Sequence, residues 1–120
     1  MQYDIDINRK CSDIFIKLRN IILNYEGIYE IKNAKQTTYY DTNGRAVCMM
    51  RGRRDHLLAF SQGYKLQEKY LLLKGFGKIV RHLYYKNLYK IDEVILREIF
   101  TESLLLNEEA VELKKLKRVL

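Results

Sequence analysis

Ten residues, Lys74-Gly75-Phe76-Gly77-Lys78-Ile79-Val80-Arg81-His82-Leu83, gather two glycines and four basic side chains. Gly75 and Gly77 let the backbone bend closely around an anion. Lys78 and Arg81 can then give charge-assisted hydrogen bonds to phosphate or carboxylate oxygens. The spacing is not that of a Walker loop: GxxxxGK[ST] is absent, and Ile79 stands where a Ser or Thr would hold magnesium. The plain alternative is a loop that bends at its glycines and leaves its lysines solvated. His56 and His82 are the two histidines. Each could titrate near neutrality or ligate a metal, but neither has an Asp, Glu or Cys cluster beside it. Strand alternation sends Arg81 and His82 to opposite faces. Cys48 lies in a strand-like run with no readable base partner, and no Gly-x-Ser-x-Gly element is present. No catalytic residue is therefore assigned.

Tyrosines are the second resource, ten in all. Tyr39, Tyr40, Tyr84, Tyr85 and Tyr89 fall in or near strand-like runs. Alternation puts one member of each adjacent pair on either face. Tyr39 and Tyr40 with Arg45, Arg51 and Arg53 form a candidate partner surface, able to grip a protein or stack on bases. Neither an RRM nor a KH motif accompanies them. Two denser basic patches, Arg51-Gly52-Arg53-Arg54 and Lys114-Lys115-Leu116-Lys117-Arg118, support an alternative reading as a nucleic-acid-binding module.

The elements that must position these groups are legible from period and turn chemistry. Residues 8–25 predict a helix: Cys11, Ile14, Leu18, Ile21, Ile22 and Tyr25 make one apolar stripe, and Gly27 suits a left-handed stop. Residues 28–40 read as extended. Asp41-Thr42-Asn43-Gly44 predicts a hairpin turn with positive φ at both Asn43 and Gly44. The return strand is 45–51, and residues 52–55 make a second turn. A third strand spans 56–62 and is ended by Gly63. Residues 66–73 fit a short helix or a loop, and a last strand spans 79–85. Asp92 caps a second helix with Leu96, Ile99, Phe100 and Leu104 on its apolar face. Loop residues near Asn107 separate it from a third, 108–120, whose Leu113, Leu116 and Leu120 form a docking or dimer stripe. Helix, hairpin-linked strands, then helix predicts an α+β two-layer sandwich. Its antiparallel sheet has about five strands and is covered on one face by N- and C-terminal helices.

At 120 residues, 48% hydrophobic and 31% charged, the chain is one globular domain with a single core. Its apolar runs are too short to span a bilayer, and the acidic start lacks a signal core, so a cytoplasmic location with reduced Cys11 and Cys48 is expected. The net charge of +7 favours anionic partners, or simply keeps the protein dissolved.

The chain resembles the YdhG-like family, a group of domains of unknown function. The matching features run in order over roughly residues 12–106. They are a helix (14–25), an extended Tyr29-Glu30-Ile31-Lys32, a hairpin with Tyr39, Tyr40 and Gly44 before Val47, and a basic turn into His56-Leu57-Leu58-Ala59-Phe60. Gly63 and Leu66, Gly75-Phe76-Gly77-Lys78 running to Arg81-His82, and a closing helix follow. The resemblance implies a small α/β sandwich similar in shape to frataxin. It also implies a non-catalytic role that can extend to iron delivery, although the sequence asks for no cofactor. An acidic ridge on the first helix and strand would carry iron. Here Asp4, Asp6, Asp13, Glu26 and Glu30 alternate with Arg9, Lys10, Lys17, Arg19 and Lys32. The expected partner is a protein or a small anionic ligand, with a homodimer as a further option.

Overall fold

The computed structural model describes residues 1–8, 12–52, 56–75 and 77–119. Two helices, α1 (Gln2–Asn8) and α2 (Ser12–Leu23), precede five strands. These are β1 (Tyr29–Lys32), β2 (Thr37–Tyr40), β3 (Ala46–Gly52), β4 (His56–Phe60) and β5 (Arg81–Tyr85). A long helix, α3 (Glu93–Val119), closes the fold. The strands pair antiparallel in the order β1-β2-β3-β4-β5, the α+β arrangement expected.

Alternation sorts the sheet into two faces. Tyr39, Cys48, Met50, Leu58, Phe60, Leu83 and Tyr85 point inward and are buried. They join Ile14, Phe15, Leu18, Ile21 and Ile22 of α2 and Leu96, Ile99 and Phe100 of α3 in one core. The stripe expected on α2 is this packed face. Tyr25 ties the end of α2 to α3: its hydroxyl donates to the Arg97 carbonyl at 3.0 Å, and its ring lies 4.6 Å from that of Phe100. Gly27 does adopt a left-handed φ, +81°. Residues 53–55 of the expected second turn and Cys11 lie outside the described residues.

Several local expectations change. The acidic start is helical: Tyr3 of α1 packs edge-on against Phe15 at 5.7 Å, and Asp6 is buried. Residues 28–40 form two strands rather than one extended run. They fold at Asn33, whose Oδ1 accepts from the backbone N–H groups of Lys35 (2.9 Å) and Gln36 (3.0 Å). In the β2–β3 turn only Gly44 has positive φ, +74°. The Asp41 carboxylate accepts from the N–H of Asn43 (2.9 Å) and of Arg45 (3.0 Å), so Asn43 stays in the ordinary region. A bulge between Tyr39 and Tyr40 absorbs the extra residue. Finally, α3 does not break at Asn107. That side chain is buried and spends its hydrogen bonds on other elements: Nδ2 donates to Asp41 (3.2 Å) and to the Ala46 carbonyl (3.1 Å), and Oδ1 accepts from Gln62 (2.6 Å).

Candidate functional site

The Gly75–Arg81 loop is folded on itself. Lys74 and His82 exchange backbone hydrogen bonds of 2.8 and 2.7 Å, which closes the loop at its base. Gly75 has φ +129°, which side-chain-bearing residues rarely adopt, and a Cβ there would sit tightly at 3.0 Å from the His82 ring, so the backbone conformation favours glycine. Gly77 is exposed and meets no such constraint. Arg81 donates through Nε to Gln67 at 2.7 Å and through Nη1 to the carbonyls of Gly77 and Val80. The guanidinium assigned to an anion is thus an internal clamp, because the loop's own carbonyls are the nearest acceptors. Lys78 is exposed. Arg81 and His82 do point to opposite faces, with His82 Nδ1 3.1 Å from the Lys74 carbonyl.

The partner-surface residues separate. Tyr39 is fully buried, which corrects its assignment: it faces inward, and its hydroxyl donates to Glu30 at 2.9 Å. Burial, reinforced by the Glu30 charge, pushes its pKa up. Tyr40 faces outward and stacks on Tyr29 with ring centres 5.5 Å apart. Arg51 is on the same outer face. Arg45 lies at the β2–β3 turn against α3, and Arg53 falls outside the described residues.

On the outer face Tyr29, Ile31 and Tyr84 are 44%, 46% and 53% exposed, too open for any helix to cover them. Tyr40, Met49, Arg51, Leu57 and His82 are half-buried between them. No carboxylate occurs on this face among the described strand residues: Glu30 alternates to the inner side. The alternation of Tyr29 and Ile31 with Ile28, Glu30 and Lys32 is the sequence signal for their place here.

The first strand's acid, Glu30, is committed to neighbouring groups. Glu30 accepts from Arg19 Nε (2.7 Å) and Nη2 (3.0 Å) and from Tyr39, and Lys32 Nζ lies 3.8 Å away. Burial alone would raise the Glu30 pKa, but the hydrogen bonds from Arg19 and Tyr39 outweigh it and hold the carboxyl below its usual range. Among the described residues no group of three or more His, Cys, Asp or Glu is placed to hold a metal ion. Cys48 is buried in the core, which pushes its thiol pKa up and away from nucleophilic use. No described helix is long and apolar enough to cross a membrane.

Comparison of the chain with family models, curated proteins and solved structures gives no match.

Proposed function

We propose that this chain is a YdhG-like binding domain whose outer sheet face receives a partner protein bearing an apolar patch with an acidic rim. One observation carries the reading: an uncovered sheet face built from Tyr29, Ile31, Tyr40, Met49, Leu57 and Tyr84, with Arg51 and no carboxylate among the described strand residues. Aromatic residues, Met and Arg are enriched where proteins meet, and Asp, Glu and Lys are depleted. Arg51, with no carboxylate beside it among the described strand residues, favours an acidic rim on the partner. Iron delivery and a small anion at the Gly75–Arg81 loop receive less support, since Glu30 is committed to Arg19 and Arg81 to its own loop.

The test compares stoichiometric capture by the wild-type protein with capture by the Ile31→Glu, Tyr84→Glu double variant. Circular dichroism checks that both fold. An acidic protein held by the wild type should be lost from the variant, with affinity down about a hundredfold as an exposed apolar anchor goes at each edge of the face. Equal retention by both proteins sinks the reading. So does a wild-type dimer in sedimentation that the same substitutions dissociate.

A further inference from the structure

The buried stripe of α3 runs Leu96, Ile99, Phe100, Ser103, Asn107. Continued at the same three- and four-residue spacing, it reads Val111, Lys114, Arg118. Positions that hold apolar side chains over the sheet hold cations once the helix has passed its edge. Lys114 and Arg118 are exposed, yet they border a shared cleft. Asn43, Arg45, Val111, Lys114, Lys115 and Arg118 line one open cleft of about 330 Å³ between the β2–β3 turn and α3.

Both walls are fixed from inside. The Asp41 carboxylate holds the N–H groups of Asn43 and Arg45, and Asn107 bonds that same carboxylate and the Ala46 carbonyl. The turn is therefore pinned at Asp41, four residues before Arg45, and the helix at Asn107, about two to three turns before the helix cations. Four cations converge on the cleft. Among the described residues one of them, Lys115, has an ion-pair partner, Glu112 at 3.4 Å, and that pair is exposed and contributes little. Cations gathered at one cleft raise the local potential that attracts an anion, an attraction that salt screens. Two arginine forks and the Asn43 amide offer planar donors suited to tetrahedral oxyanions.

We propose that this cleft binds phosphate groups, supplied either by a nucleic-acid backbone or by a free polyphosphate. The site is separate from the outer sheet face and does not depend on what that face binds. It also differs from the grouping expected from sequence. Arg51 sits at the far end of β3 from Arg45, so Arg45 is the strand-side partner of the helix cations.

Two probes separate the sources: a fluorescent oligothymidylate followed by anisotropy at low and physiological salt, and inorganic tripolyphosphate followed by calorimetry and by competition. The cleft variant is Arg45→Ser, Lys114→Ser, Arg118→Ser. Its charge-matched control is Lys35→Ser, Lys86→Ser, Lys90→Ser, at the opposite end of the sheet. The cleft variant should lose about tenfold or more in affinity, and its log–log salt slope should fall by about 3, while the control changes about twofold. Tight oligonucleotide binding that tripolyphosphate displaces poorly assigns the site to nucleic acid. Tripolyphosphate binding with no gain for the oligonucleotide assigns it to free polyphosphate. Equal losses in the two variants mean that net charge alone binds the anion, and the proposal fails. It fails equally if the wild type binds neither probe at low salt. If Arg45→Ser disturbs the turn, Lys114→Ser with Arg118→Ser alone carries the test, with a slope change of about 2.

Discussion

Glu30 is the residue on which four elements meet. Its carboxylate joins Arg19 of α2 to Tyr39 of β2, with Lys32 of β1 beside it, and Lys32 Nζ sits 3.7 Å above the Tyr3 ring of α1. Glu30→Gln should destabilise the protein by about 2 kcal/mol at pH 7, because charge-assisted hydrogen bonds from Arg19 and Tyr39 are lost in a partly buried site. The folded-state pKa of Glu30 is depressed. Its stabilisation is then complete above the unfolded pKa of about 4.3 and disappears as pH falls through the lower folded value. Urea unfolding of wild type and variant should accordingly differ at pH 7 and converge near pH 3. A difference that does not change with pH would assign the cost to packing instead. Sequence displayed Glu30 as one of several scattered acids. It could not display the pairing with Arg19, eleven residues away on another element.

At the scale of elements, α3 and the β2–β3 hairpin are locked by Asn107. An asparagine inside a helix ordinarily favours a break, because its side chain competes for local backbone groups. Here that side chain bonds Asp41, Ala46 and Gln62, and the helix runs through. Asn107→Ala should lower stability by about 2–3 kcal/mol, since it strands buried partners as well as removing their hydrogen bonds. The urea midpoint should fall with little change in slope. A cost below about 0.5 kcal/mol would show that water replaces the amide without loss. The hairpin itself was legible from Asp41-Thr42-Asn43-Gly44. Its turn type was not, because the Asp41 carboxylate supplies the bonds that make positive φ at Asn43 unnecessary.

At the scale of the whole molecule, the core ends before the chain does. Every described residue from Glu112 to Val119 is exposed, including Leu113 and Leu116 of the expected dimer stripe. Ending the chain after Val111 should therefore move Tm by no more than about 5 °C. A much larger fall, with a Tm that depends on protein concentration, would assign Leu113 and Leu116 to a contact between copies.

Sequence by itself determined the class of fold, the helix, strands, helix order from α2 onward, the packed stripes of α2 and α3 and the openness of one sheet face. Each follows from periodicity and turn chemistry acting over a few residues, where local preference and burial agree. Tertiary structure decided which side chains remain available. Tyr39 went into the core with its hydroxyl on Glu30, Arg81 closed on its own loop, and Lys114 and Arg118 came to face Arg45. Those outcomes depend on strand register and on contacts such as Asn107 to Asp41, 66 residues apart. Hydrogen-bond partners at that separation are chosen by the assembled core, and no local pattern encodes them.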